Sequence, residues 1–450
     1  MDGESHHLDP AFTYLPMKPL RITANRRYLE TTSGEPFLWV GDTAWELIHR
    51  ASLDETRLYF RNRKEKGFSL IQTVILAELD GLHHPNAHGE IPLHDDDPAR
   101  PNEGYFRHVD QVVALAEEMG LYLGLLPTWG DKFNKKWGDG PEIFTPENAR
   151  SFGEFLGKRY AGFPHIVWIL GGDRIPETSL HRKIIEQMAA GIRDQQGHSL
   201  LSYHPNGGNL ASDHFGDSDW LDVDLFQSRH QKGFREYRFT RKGRKRNPPR
   251  PVIDGEPGYE NIPNMLNKWH FQRLDASDIR RAAYWNLLSG AAGHTYGCNE
   301  IWQMYDGKTD PRFGAQFSWK EALDLPGASQ MGVLRRIFDC LPWQQMEPAP
   351  SLIASINWKV TPLKTVLANP DKSWVLVYSP QGKSIKIRSS LLKKREKVAF
   401  WLNPETGEQT DVRGKLTAVF RVPDPRRDWL LLLLDRDSLK NWVYAPILES

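Results

Sequence analysis

Eight short apolar runs, each closing on polar or charged residues and most followed by a stretch of helical period, organise the first two thirds of the chain. They are FLWVGD (37–42), SLIQTVIL (69–76), YLGLLPTW (122–129), IVWILGGD (166–173), LLSYHPN (200–206), VDLFQSRH (223–230), PVIDGEP (251–257) and HTYGCN (294–299). Short apolar runs bounded by polar residues suit strands buried on both faces, and strands alternating with helices demand a parallel sheet. Eight such units in roughly 300 residues match a closed (β/α)8 barrel in count and length. An open doubly wound sheet is disfavoured, because the first run ends GDTAW and no G-x-G-x-x-G follows it.

Between the runs, EGYFRHVDQVVALAEEMG (103–120) spaces Phe106, Val109, Val112, Val113, Leu115, Ala116 and Met119 as one helical face and stops at Gly120. Helices are also expected over 52–66, 146–160 with Thr145 as N-cap, 177–196 and 264–288. The segment LRITANRRYLETTS (20–33) reads as a small hairpin over the barrel floor, preceded by an N-terminal arm over 1–19. After Gln345 the pattern shifts to short alternating runs: SLIASINW, TVLANP, SWVLVYSP, SIKIRS, KVAFWLNPETGEQT, LTAVFRVP and DWLLLLLD. These predict an antiparallel β-sandwich. The expected domains are therefore a barrel over 20–345 and a sandwich over 346–450, with MEPAPSL between them.

Composition narrows the function. Lys and Arg number 58 against 57 Asp and Glu, a net charge of +1, which argues against a chain built to neutralise phosphates. Nucleic acid is not an expected partner. The basic run RKGRKRNPPR (241–250) reads as a solvated loop leading into the seventh strand. No run of 18 apolar residues appears, so no membrane insertion is expected, and MDGESHHLDP lacks the basic and apolar regions of a leader. The compartment and the oligomeric state stay open. Cys298 and Cys340 are too few for a disulfide framework and too dispersed for a zinc site. The excess is aromatic: 16 Trp, planar faces that fill cores or stack on sugar rings. Most are read as core, Trp374 and Trp401 of the sandwich included.

Function in such a barrel sits at the C-terminal strand ends. There the sequence places Asp42 and Trp45, Glu78 and Asp80, Trp129 with Asp131 and Lys132, Asp173 and Arg174, His204 and Asn206, Gln227 with His230, Asp254 and Glu256, and His294 with Tyr296 and Asn299. Carboxylates, amides and imidazoles that can fork onto hydroxyls, beside aromatic faces, suit a polyhydroxylated substrate. Two glycines before Asp173 permit backbone turns and leave room for a ligand. Asp254 and Glu256 stand two apart and face the same side if the strand stays extended. Glycosidic cleavage uses two carboxyl groups, and Asp173 on the fourth strand and Glu256 on the seventh can flank a bound sugar.

GDTAWEL (41–47), KGFSLIQTVILAELDGL (66–82), WILGGDR (168–174) and DGEPGYE (254–260) resemble the apiosidase-like barrel domain, whose characterised members are glycoside hydrolases acting on plant pectin side chains. The tail, with AFWLNPETGE (399–408), is similar to the small β-sandwich that often follows this barrel and is named for collagen binding, a name that implies no function for this chain. The resemblance implies a glycoside hydrolase with Asp173 as acid/base and Glu256 as nucleophile, retaining configuration where the two carboxyls stand close; a non-catalytic carbohydrate-binding protein is the alternative that the presence of both carboxylates argues against. Supporting sugar contacts are expected from Trp45, Trp129, Tyr296 and Trp302, and from Asp42, Glu78, Lys132, His204, Gln227, His230, His294 and Asn299. It also implies a periplasmic or secreted enzyme if a leader has been removed. A metal-dependent hydrolase would want paired His at the first strand end, where Gly41-Asp42-Thr43 stands, and H-E-x-x-H is absent. No metal or cofactor is expected, and LHHPNAHGEIPLHDDD (82–97) reads as a solvated loop.

Overall fold

The computed structural model describes residues 16–267, 269, 271–354, 363–393 and 395–444. Most of the N-terminal arm and the second half of SLIASINW lie outside the described residues. Three short strands, β1 (Leu20–Ile22), β2 (Leu29–Thr31) and β3 (Pro36–Phe37), form an antiparallel meander. It lies at the N-terminal end of the barrel, where Phe37 meets the Tyr122 ring edge-on at 4.8 Å.

Each of the eight apolar runs becomes a parallel barrel strand: β4 (Trp39–Thr43), β5 (Leu70–Leu76), β6 (Tyr122–Thr128), β7 (Ile166–Gly171), β8 (Leu201–His204), β10 (Asp224–Gln227), β11 (Val252–Glu256) and β12 (Gly293–Tyr296). A two-residue strand, β9 (Asn209–Leu210), pairs antiparallel with β10. Parallel pairing runs from β8 through β4 and β12 to β10. The ring closes between β8 and β10 at a single Ser202–Val223 bridge, supported by Ser202 Oγ donating to Val223 O at 2.7 Å. A (β/α)8 barrel followed by a β-sandwich is therefore the architecture.

The helices begin where side chains can satisfy their free N–H groups. Ser52 and Glu55 form a capping box on Leu53–Glu65, and Thr145 caps Pro146–Arg159. Asn102 caps Glu103–Glu118, and Thr178 caps Ser179–Gln195. The helix expected over 264–288 is shorter: Met265 has φ 61°, and Asp275 caps a helix that starts only at Ala276 and runs to Leu287. The basic run, read as a loop, begins inside the helix Tyr237–Gly243.

The tail folds into strands β13 (Glu347–Pro348), β14 (Thr365–Ala368), β15 (Trp374–Ser379), β16 (Ser384–Lys386), β17 (Lys397–Leu402), β18 (Gln409–Asp411), β19 (Val419–Arg421) and β20 (Trp429–Asp435). Six of them pair in the order β13-β14-β15-β20-β17-β18, and β16 pairs with β19. The described start of SLIASINW is a short turn at Pro350–Leu352 instead of a strand. Alternate residues of the central strands face two different cores. Leu376, Tyr378, Leu430, Leu432 and Leu434 join the barrel's core, whereas Val375, Val377, Leu431 and Leu433 pack with Ile385, Phe420, Trp401 and Trp429. This two-sided burial explains the unbroken LLLLL of β20. Across the junction Tyr284 stacks on Tyr378 at 5.0 Å, and Arg280 makes a two-pronged ion pair with buried Asp428 at 2.9 and 2.7 Å. No helix among the described residues is long and apolar enough to cross a membrane.

Candidate active site

A cavity of about 590 Å³ opens at the C-terminal strand ends, and both Asp173 and Glu256 reach into it. Asp173 follows Gly171 and Gly172, whose φ values are 90° and 115°, and itself adopts φ 54°. A side chain at 172 would bring a Cβ within 2.8 Å of the Gly130 nitrogen, so the tight turn that presents Asp173 requires glycine there. Trp137 Nε1 donates to Asp173 Oδ2 at 3.2 Å, and Arg174 Nη1 lies 3.4 Å from the same oxygen. The Trp137 indole covers the Arg174 guanidinium at 4.1 Å.

Glu256 ends β11 beside a register shift: Phe226 pairs with Asp254 but Gln227 pairs with Glu256, leaving Gly255 as an extra residue. A bulge breaks the two-residue alternation and re-aims the side chain beyond it. The expectation that Asp254 and Glu256 face the same way is thereby corrected. Asp254 turns to the helical layer and accepts from Asn286 Nδ2 at 3.0 Å, while Glu256 faces the cavity.

Two imidazoles clamp Glu256. His230 Nε2 lies 3.2 Å from Oε1, and His204 Nε2 lies 3.0 Å from Oε2, the latter off the line of a good hydrogen bond. The backbone N–H of Tyr259 donates to His230 Nδ1 at 3.3 Å, and that of Asp173 donates to His204 Nδ1 at 3.2 Å. With Nδ1 accepting, each neutral ring carries its proton on Nε2, toward the carboxylate. One of these links joins the backbone of one candidate carboxyl to the side chain of the other.

The environments separate the two acids. Burial raises the Asp173 carboxyl and the nearby Glu256 charge raises it further, to about 6, against the opposing pull of Arg174 and His204. Burial also works to raise Glu256, but its close contacts with the Nε2 atoms of His204 and His230 outweigh it and hold the group at about 2. A third carboxyl, Glu78, lines the cavity and is pushed well above its ordinary value by burial, then by Asp173, Glu46 and Asp131. Pairs of acids driven apart in this way are the signature of acid and base roles in one site.

The remaining expected residues divide. Trp45, Trp129, Gln227 and Trp302 line the cavity with Glu78 and His230. Trp45 Nε1 donates to Tyr259 OH at 3.0 Å, whereas Trp129 Nε1 and Gln227 Oε1 are buried without a hydrogen-bond partner at the cavity wall. His204 is 1% exposed and packs against the Trp45 and Trp129 rings, so it positions Glu256 instead of reaching for hydroxyls.

Five others are held elsewhere. Asp42 points to the helical layer, paired with Arg63 and with Tyr59 OH at 2.6 Å. Lys132 is fully buried on Ala77 O and Asp131, each at 2.8 Å. His294 contacts Asn286 at 3.2 Å, with its imidazole lowered to about 3 by burial. Tyr296 OH donates to Glu260 at 2.6 Å. Asn299 accepts from Trp302 Nε1 at 3.3 Å, and so orients a wall residue without lining the cavity. Residue type marked these as polar strand-end groups, but alternation sends half of such groups outward.

Sequence reading missed Trp137, Tyr259, Phe313 and Arg229, all at the cavity. Tyr259 stood within the DGEPGYE motif, three residues after Glu256. Trp137 lies in a loop with no periodic signal, and only the folded loop brings it to Asp173. The His-rich segment after β5 is partly exposed, with His83 bonded to Asp80 at 2.8 Å and Asp96 at 3.0 Å. Among the described residues no group of three or more His, Cys, Asp or Glu side chains is arranged to hold a metal ion.

Residues 23–345 match the family model described as "Apiosidase-like, catalytic domain", and residues 348–434 match the "Putative collagen-binding domain of a collagenase". A solved structure titled "Glycoside hydrolase" is 27% identical with a TM-score of 0.86, covering 95% of this chain and 99% of its own. A family 5 glycoside hydrolase from Bacteroides vulgatus is 28% identical with a TM-score of 0.86, covering 96% of each chain. A further solved structure from Bacteroides vulgatus, titled "putative glycoside hydrolase" and 14% identical with a TM-score of 0.66 over 93% of this chain and 82% of its own, shares the fold. A search of curated proteins found no match.

Proposed function

The chain belongs to the apiosidase-like family and is a glycoside hydrolase, and from that premise we propose that it cleaves a glycosidic bond in plant-type pectic oligo- or polysaccharide with retention of configuration. The observation that carries the mechanism is one cavity holding two carboxyls, half-buried Asp173 raised to about 6 and buried Glu256 lowered to about 2. The pectic class rests on the family.

Glu256, ionised, attacks the anomeric carbon as the bond to the leaving oxygen breaks, and Asp173 gives that oxygen its proton. A glycosyl ester on Glu256 results. Asp173, now ionised, takes a proton from water as the water oxygen attacks the anomeric carbon and the ester bond breaks. Both carboxyls regain their starting states. His204 and His230 hold the Glu256 carboxylate in its attacking orientation, and Trp137 fixes Asp173 Oδ2. The aromatic wall of Trp45, Trp129 and Trp302 offers stacking faces for the sugar, with Trp129 Nε1 and Gln227 Oε1 free to bond hydroxyls.

Hydrolysis of a panel of aryl glycosides and pectic oligosaccharides by the wild type, Asp173→Asn and Glu256→Gln tests the assignment, with proton NMR of the first-formed anomer. Release by the wild type with retained configuration, and loss in both variants, is expected. An inverted first product refutes retention, and full activity in either variant refutes its role.

A further inference from the structure

Arg238, Arg241, Lys242 and Lys245 recur at three- and four-residue spacing along the helix Tyr237–Gly243 and the turn after it, which gathers them on one face. A groove of about 650 Å³ runs along that face, walled by these four cations and Arg246. A second hollow of about 440 Å³ shares Arg238 and Lys242 with the groove and shares Gln231 with the catalytic cavity. The three concavities make one track from Glu256, past Gln231, to the cationic helix.

Asp213 neutralises part of this charge, pairing with Lys242 at 2.7 Å and also with Arg246. Among the described residues no carboxylate pairs with Arg238, Arg241 or Lys245, nor with Arg229 at the cavity rim. Arg241 instead covers the Tyr237 ring at 4.9 Å. A helix C-terminus favours a cation or two, but five facing one groove repel one another in a chain whose net charge is only +1. Stacking of nucleobases is not what this track offers, since Phe239 is already stacked on Phe226 at 5.5 Å and on Phe234 at 6.0 Å.

We propose that this track binds the carboxylates of a uronate-bearing polysaccharide and so holds the polymer whose glycosidic branch enters the catalytic cavity. The inference rests on the glycoside hydrolase reading of the cavity for the kind of polymer, and on the groove for its charge. Arg guanidinium forks and Lys ammonium groups reach carboxylates spaced along the chain, while the cavity receives the sugar to be cleaved.

Calorimetric titration of the full chain with oligogalacturonate, with its methyl ester and with a single-stranded DNA oligonucleotide tests the proposal. The probes are titrated at low and high salt, into the wild type, Arg238→Gln/Arg241→Gln/Lys245→Gln, and the single reversal Lys245→Glu in case the triple variant folds poorly. Binding of the acid is expected to weaken about tenfold or more in the triple variant and with added salt, and the ester to bind no better than the acid binds that variant. Equal binding by wild type and both variants, equal binding of acid and ester, or tighter binding of DNA than of oligogalacturonate overturns it. Hydrolysis of the glycoside panel without charge-dependent binding overturns the track alone. Charge-dependent binding without any hydrolysis overturns the glycosidase reading on which the identity of the polymer rests.

Discussion

Replacing Glu256 by Gln should lower the pKa of Asp173, which lies 31 residues from His204 in sequence but shares one cavity with the carboxylate that His204 clamps. In the wild type, burial and then the Glu256 charge lift Asp173 from 3.8 to about 6. That displacement corresponds to roughly 3 kcal/mol of preference for the protonated form. The neutral amide removes the charge contribution and leaves the burial contribution, so the titration should fall by on the order of one pH unit and stay above the ordinary carboxyl value. Carbon NMR of aspartate-labelled protein reads this directly.

The same pair fixes the pH profile. Asp173 is raised, so its protonated form persists up to about 6, and Glu256 is depressed, so its ionised form persists down to about 2. Between those limits the acid and the nucleophile are both in their working states. Wild-type kcat/KM on a substrate with a poor leaving group should fall tenfold per unit above the upper limit, by roughly a hundredfold near pH 8. An Asp173 titration at or below about 4 in the wild type, or an unshifted titration in Glu256→Gln, would refute the reasoning.

Trp129→Phe keeps the aromatic wall but deletes the unpartnered Nε1 donor, and it should lower kcat/KM by an amount equivalent to about 1–3 kcal/mol; unchanged kinetics would show that no substrate group meets that N–H. Asp42→Asn leaves buried Arg63 without its counter-charge and should cost about 3–5 kcal/mol in denaturant unfolding, whereas wild-type stability with a raised KM would restore Asp42 to the sugar site. Arg280→Ala strands buried Asp428 at the junction of barrel and sandwich. A comparable loss is expected, about 3–5 kcal/mol by calorimetry, and an unchanged melting temperature would mean the junction is held by apolar packing alone.

Eight apolar runs were enough to establish the barrel by themselves, because strands buried on both faces need continuous apolar sequence, and the caps at Ser52, Asn102, Thr145 and Thr178 carry their own local chemistry. Asp173 and Glu256 were legible for the same reason: a strand end in this barrel places its next polar residue at the mouth. What alternation alone misassigned were Asp42, His294 and Tyr296, which face the helical layer, and Asp254, parted from Glu256 by one extra glycine in the pairing. The clamp of two imidazoles on Glu256, the Trp137 cover over Arg174, and the link from the cavity to the cationic helix join residues far apart in the chain. Periodicity is a local property of sequence, so it determined the elements; a carboxyl's charge state depends on everything within a few ångströms of it, and only the closed barrel decided which groups those are.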